Sequence, residues 1–298
     1  MIKRTLHFGN PVHLSTTRHQ LIIRYPDDRM EVKVPIEDIG VIILEHYQIT
    51  LSHTLLSRLL GNNVAFITCD SHHLPQGMLL NLNGHHTQQE NFTQQIGASE
   101  ALKNRLWKQT IRMKINNQAS VLEQNGLEVA NMRRWAIKVQ NGDPDNFEAR
   151  AAAFYWKTLF VDHLQSFKRG RFEGEPNNLL NYGYAILRAV VARALTGSGL
   201  LPTLGYHHHN RYNAYCLADD VMEPYRPYVD EVVLELVRSL DDYSELTPEI
   251  KKQLLKIPVV DVSINDQLSP LMLAVQQTTS SLQKCYALEL KEVKFPNL

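Results

Sequence analysis

One change of hydrophobic period divides this 298-residue chain. Up to about residue 85 apolar residues alternate with polar ones or form short β-branched runs. From residue 96 onward they recur about once per helical turn. Strand-period and helix-period patterns bury different faces, so the two parts must build different layers. In the first part Thr5-Leu-His-Phe and Val12-His-Leu-Ser-Thr flank the turn-forming Gly9-Asn-Pro, and Gln20-Leu-Ile-Ile-Arg-Tyr ends at Pro26-Asp-Asp-Arg. Glu31-Val-Lys-Val-Pro alternates as a half-buried strand does, and Ile39-Gly-Val-Ile-Ile-Leu is apolar throughout, as in a strand covered on both faces. The spacing predicts a helix over 52–60 and a return to strand over 62–69. In the second part the predicted helices are 96–123, 147–160, 179–195, 229–240 and 270–290. Asp143 followed by Pro144 is the expected N-cap and first residue of the second of these. The fold class expected is α+β: a small N-terminal β-rich domain over 1–85, a Gln/Asn/His-rich linker over 86–95, and a larger all-α domain over 96–298.

Several classes are excluded early. No apolar run approaches the ~18 residues of a membrane span, and no secretory pattern follows Met1-Ile-Lys-Arg. Cys69, Cys216 and Cys285 are odd in number and far apart, which argues against a disulfide framework or a CxxC zinc site. The expected setting is cytoplasmic. The chain has 31 basic and 31 acidic residues, yet they are segregated. Residues 1–90 carry 7 basic against 8 acidic, 91–215 carry 16 against 9, and 216–298 carry 8 against 14. The net +7 of the middle segment suits a phosphate-binding face, unless it is neutralised within the fold by the −6 of the last.

Histidine clusters mark the candidate chemistry. His72-His73 and His85-His86 sit in polar, turn-rich surroundings and read as solvated loops. His207-His208-His209 differs, because Asp219, Asp220 and Glu223 follow His208 by 11 to 15 residues. One imidazole with carboxylates is a mixed N/O donor set suited to Mg²⁺ or Mn²⁺; the alternative is a helix N-terminus dressed with acids. Asp220 and Glu223 share a helix face if the stretch is helical, although Pro224 disfavours the α region at Glu223. Either a kinked helix or a turn would hold both carboxylates. Glu148 lies in the second turn of an alanine-rich helix that another helix or a nucleic-acid backbone could approach closely, or else it is an ordinary surface acid.

Four segments carry a resemblance. Asn146-Phe-Glu-Ala-Arg-Ala-Ala with Tyr155-Trp156 is similar to the first motif of the universal CRISPR adaptation integrase family. Asn177-Asn-Leu-Leu-Asn-Tyr-Gly-Tyr-Ala-Ile-Leu-Arg-Ala is similar to its second, and Gly199-Leu-Leu-Pro-Thr-Leu-Gly-Tyr-His-His to its third. Ala218-Asp-Asp-Val-Met-Glu-Pro-Tyr-Arg-Pro-Tyr-Val-Asp resembles its fourth. The order is the family's, and the wording most resembles type II members.

The resemblance implies a β-rich dimerisation domain and a helical domain holding a divalent cation, Mg²⁺ or Mn²⁺. The implied ligands are Glu148, His208 (three residues after the motif glycine, Gly205) and Glu223, with Asp220 as a fourth ligand or a support. The implied reaction is a transesterification: the 3′-hydroxyl of a spacer precursor attacks a phosphodiester at the edge of a CRISPR repeat. The implied partners are double-stranded DNA, a second copy of the chain and a dimer of a small companion adaptation protein. Lys103, Lys108 and Arg112, in the basic run from Lys103 to Lys114, are the expected phosphate contacts, together with Lys168, Arg169 and Arg171. Tyr182 either positions the strand being cut or fills the core. Two other functions fit the residues: a metal-dependent nuclease that cuts branched DNA without integrating it, and a non-catalytic scaffold for DNA ends.

Overall fold

The computed structural model describes residues 3–27, 29–71, 74–164, 166–170 and 173–298. His72, His73 and Arg171 lie outside the described residues. The β-rich part begins with β1 (Arg4–Phe8), β2 (His13–Thr17), β3 (Gln20–Arg24), β4 (Val32–Pro35), β5 (Ile39–Leu44) and β6 (Thr50–Leu51). It continues with α1 (His53–Gly61), β7 (Ala65–Cys69) and β8 (Pro75–Leu79). One sheet has the order β1-β5-β7-β8, with β1, β5 and β7 parallel and β8 antiparallel to β7. The other has the order β4-β3-β2-β6. The Ser52 side chain caps α1 by accepting from Leu55 N at 3.3 Å.

The continuous apolar run of β5 has a direct cause. Ile39 and Ile42 pack into a core with Leu14, Leu21, Leu55 and Leu59, whereas Val41 and Ile43 belong to the core of the helical part. Phe66 and Ile67 of β7 divide in the same way. The sheet is therefore covered on both faces at β5 and β7, and the two parts of the chain meet across it.

The helical part contains α2 (Gln88–Ile96), α3 (Glu100–Gln124), α4 (Ala130–Lys138), α5 (Phe147–Leu159) and α6 (Asn177–Gly197). It then has α7 (Cys216–Met222), α8 (Arg226–Ser239), α9 (Pro248–Leu254) and α10 (Leu271–Tyr286). The five helices expected from periodicity are present as α3, α5, α6, α8 and α10, with ends shifted by a few residues. Ile96 ends α2 rather than opening α3, and Ser99 caps α3 by accepting from Leu102 N. The helical part is not purely α: β9 (Asp261–Ile264) and β10 (Gln267–Pro270) form an antiparallel hairpin ahead of α10. Its two-residue turn, Asn265-Asp266, has φ of 51° and 60°, which these residue types tolerate.

Most of the stretch expected as a linker is helix α2. Its polar residues mimicked a solvated loop, but Asn91 and Gln95 are buried. Gln95 donates to the carbonyls of Leu201 and Leu204 at 3.0 and 2.9 Å and accepts from Leu201 N at 2.9 Å. Asn91 donates to Ser198 O at 3.3 Å. These amides satisfy a loop that has no ladder of its own, and so hold the segment leading to His208. Among the described residues no helix is long and apolar enough to cross a membrane.

Candidate active site

Helix α3 supplies one wall. Trp107, Thr110, Lys114 and Asn117 recur at helical spacing and are all buried, so a lysine occupies a core register. Helix α5 brings Glu148 to it from the side. The expected N-cap, Asp143, lies three residues too early for that position. Asn146 is the N-cap, in the left-handed region at φ 53°, and accepts from Ala149 N at 3.3 Å. Asp143 instead reaches in from outside, accepting from Phe147 N at 3.0 Å and Glu148 N at 2.9 Å. That carboxylate satisfies two free N–H groups at the helix start, which Pro144, lying outside the helix, does not join.

Glu223 comes from the third wall. Its φ and ψ, −52° and −46°, remain helical despite Pro224, because α7 tightens into a 3₁₀ turn over Glu223–Tyr225 before α8 begins. Of the kinked helix and the turn, the chain uses a helical run with a tightened step. Asn117 donates to the Pro224 carbonyl at 2.8 Å and so anchors this turn to α3.

These walls converge on one nitrogen. Lys114 Nζ is 2.7 Å from Glu148 Oε1 and 2.6 Å from Glu223 Oε2. Arg226 Nε donates to Glu223 Oε1 at 2.9 Å. Burial opposes ionisation of Glu223, but Arg226 and Lys114 outweigh it and hold the carboxyl at about 2. Burial likewise works against the Lys114 ammonium, and the two carboxylates overcome it, leaving its pKa above the ordinary value.

His208 is fixed by Asp220, which is 0% exposed. Asp220 Oδ1 accepts from His208 N at 3.1 Å and from His208 Nδ1 at 2.5 Å, and Oδ2 accepts from His207 N at 3.0 Å. A carboxylate at Nδ1 makes that nitrogen the donor and leaves the Nε2 lone pair for a ligand. The Asp220 hydrogen bond also raises the His208 pKa. Gly205 is required at its position, since a Cβ there would lie 2.5 Å from His208 O and 2.7 Å from Asp220 Oδ2. The His207 ring stacks on Trp107 at 3.7 Å and 3°.

Glu148, Glu223 and His208 offer two carboxylates and an imidazole, a donor set that fits a hard or borderline divalent cation. Among the described residues no three His, Cys, Asp or Glu side chains are already gathered tightly enough to hold one. Lys114 stands between the two glutamates. Glu223 Oε2 is buried and its charge faces Lys114 Nζ at 2.6 Å. A buried anionic oxygen aimed at a point shared with a second carboxylate suits a cation ligand. The residues fit the group.

The expected phosphate contacts are spread out. Lys108 and Arg112 line a groove of about 500 Å³ with Arg105 and Lys291. Gln109 closes its floor, donating to Lys291 O and accepting from Val293 N. Lys103 pairs with Glu100 at 2.8 Å, and Lys168 with Glu173 at 2.7 Å. Arg169 donates to Asn177 and Asn181 at 2.7 and 2.9 Å, with its guanidinium 5.2 Å from the Tyr184 ring. Tyr182 is 0% exposed and out of reach of a DNA strand in this conformation, so packing supports its core role. Two positions on, Tyr184 is the second-motif tyrosine that reaches the site, donating to Asp230 and facing Arg226 at 4.6 Å. Burial pushes the Asp230 carboxyl up to about 7, against the pull of the Tyr184 and Tyr155 hydroxyls.

Sequence reasoning missed Arg226 and misplaced Lys114 among the phosphate-binding cations. For Lys114 the signal was present, since it continues the spacing of Trp107 and Thr110. For Arg226 it was the i, i+3 relation to Glu223.

Known proteins share both the sequence and the fold. The family model described as "CRISPR associated protein Cas1" matches residues 7–245. A CRISPR-associated endonuclease Cas1 of Neisseria meningitidis serogroup C (strain 8013) is 38% identical over 305 residues, covering 100% of this chain and 97% of the relative. A Cas1 of Francisella tularensis subsp. novicida (strain U112) is 25% identical, covering 82% of each. Among solved structures, a casposase bound to integration product superposes with a TM-score of 0.80 at 19% identity, covering 98% of this chain and 92% of that one. The Cas1 of Thermotoga maritima gives 0.76 at 16%, covering 95% and 97%. With the N-terminal sheets, the helical region and the match over most of its length all in agreement, the chain belongs to the CRISPR-associated Cas1 family.

Proposed function

We propose that this protein is a metal-dependent DNA integrase and endonuclease of CRISPR adaptation, joining the 3′-hydroxyl ends of spacer precursors to CRISPR repeat ends by transesterification. The observation that carries this reading is convergence. Glu148 and Glu223 are far apart in sequence, yet each places an oxygen within 2.7 Å of one nitrogen. Glu148, Glu223 and His208 Nε2 would hold Mg²⁺ or Mn²⁺, with Asp220 orienting the imidazole rather than binding the ion. Such a cation, when bound, stabilises charge on the phosphoryl oxygens and the attacking or leaving oxygen.

The chain's other residues supply position and charge. Arg226 keeps Glu223 ionised and aimed. Trp107 takes His207 out of competition for the site. Lys108 and Arg112 track the DNA backbone along their groove, with Lys103, Lys168 and Arg169 contributing more weakly because carboxylate or amide partners already engage them, and Arg171 adding a further basic contact. A casposase bound to integration product and a Cas6-RT-Cas1–Cas2 complex are among the structural neighbours. The first supports integration as the reaction and the second assembly with a small companion protein; a homodimer of this chain working with a dimer of that companion is what the family resemblance implies.

The test is an assay with end-labelled precursor duplex, a repeat-bearing plasmid, the companion protein and Mg²⁺ or Mn²⁺. Strand-transfer products are expected, lost on chelation and in Glu148→Ala, His208→Ala and Glu223→Ala, with DNA binding retained. His207→Ala and His209→Ala are expected to remain active. Cleaved products without any joined ones would overturn integration in favour of plain nuclease action.

A further inference from the structure

Lys114 has no part in the reaction scheme above, yet it stands at the centre of the site. Its side chain comes from α3, is 10% exposed, and ends between two carboxylates at 2.7 and 2.6 Å. Two carboxylates brought to one point repel each other, and the buried one, Glu223, also loses hydration. A protein that must assemble such a pair before its metal arrives needs a counter-charge of its own. Lys114 provides one positive charge there, on a flexible stem that lets the ammonium withdraw.

The oxygens leave little room for sharing. Glu223 Oε1 is taken by Arg226, so the oxygen left for a metal is Oε2, the one that faces Lys114. Lys114 Nζ faces that oxygen at 2.6 Å, so a metal reaching it must take the place the ammonium now holds.

We propose that Lys114 is the resident counter-cation of the metal-free site, and that a divalent ion binds by displacing its ammonium from Glu148 and Glu223. This rests on the metal reading of the site. It adds that the apparent affinity for the ion is set by competition with an internal lysine, and that the metal-free carboxylates are held close together in advance by that lysine.

The test compares the wild-type full chain with Lys114→Met and Lys114→Gln. Mn²⁺ binding is followed by calorimetry and by the electron paramagnetic resonance of free Mn²⁺, with thermal melts run in chelator and in Mn²⁺. Removing a competing buried charge should tighten Mn²⁺ binding by roughly tenfold or more. The same variants should melt below wild type in chelator and recover most of the difference in Mn²⁺. Should neither variant fold, the wild type alone suffices: brief acetic anhydride labelling, read residue by residue by mass spectrometry, should modify Lys114 slowly in chelator and faster in saturating Mn²⁺. Unchanged or weaker Mn²⁺ binding by the neutral variants, or Lys114 labelling that does not rise with Mn²⁺, would overturn the proposal. A wild type that takes up no Mn²⁺ would overturn the metal reading itself, a result distinct from bound Mn²⁺ that leaves the lysine in place.

Discussion

Asp220 accepts from both the backbone N–H and the imidazole of His208, at 3.1 and 2.5 Å, and spends its second oxygen on His207 N at 3.0 Å. Three such donors tie this carboxylate to the His207–His208 segment, and the proposed reading makes it the partner that orients His208. Asp220→Asn should keep the loop but lose the charge on Nδ1, lowering strand transfer by about 10–100-fold. Combining Asp220→Ala with His208→Ala should be no worse than His208→Ala alone. Additive losses in that double-mutant cycle would make Asp220 an independent ligand.

Gly205→Ala should damage the site with little damage to the rest of the fold. The added methyl would meet the His208 carbonyl and the Asp220 carboxylate below 3 Å, and neither has slack. We expect loss of strand transfer with an unchanged far-ultraviolet circular dichroism spectrum. Wild-type rates in this variant would show that the loop relaxes freely.

Reversal of the groove cations probes DNA binding. Lys108→Glu with Arg112→Glu should weaken duplex binding for all sequences. It should also flatten the salt dependence by about one unit of log–log slope for each phosphate no longer neutralised. Binding measured over a salt series decides it. An unchanged slope would place the DNA on another face.

Acid stability should depend on Glu45, which follows β5. Its oxygens lie 2.7 Å from Lys251 Nζ of α9 and 2.5 Å from His7 Nε2 of β1. Burial raises its pKa, but the hydrogen bonds from His7 and Lys251 outweigh burial and bring it down to about 2 from 4.5. A depressed carboxyl stabilises the fold fully above its unfolded value. That contribution is lost as pH falls from about 4.5 through about 2, where the folded form takes up its proton. Glu45→Gln should therefore be less stable than wild type at neutral pH, and the gap should close in acid. Urea unfolding at several pH values would show a constant gap if Glu45 were unimportant.

Local chemistry was legible without coordinates wherever one element decided it. Helices α3, α5, α6, α8 and α10 follow from apolar spacing, and the doubly covered β5 from its unbroken β-branched run. The Asn265-Asp266 hairpin carried a readable turn signal that periodicity alone passed over. Helix α2 misled because its buried face is made of amides, and an amide looks solvated until the carbonyls that satisfy it are known.

The amino-acid sequence by itself determined the two periods and the segregated charge, and its motif resemblance singled out Glu148, His208 and Glu223 as the expected ligands. Only the tertiary structure decided that Lys114 serves as a counter-ion to two of them, that Asp220 is engaged with His208, and that Tyr184 rather than Tyr182 reaches the site. The physical reason is range. Hydrophobic period and turn chemistry act over a few residues, whereas a lysine at 114 becomes a partner of glutamates at 148 and 223 only when three helical elements pack together and exclude the water that would otherwise separate them.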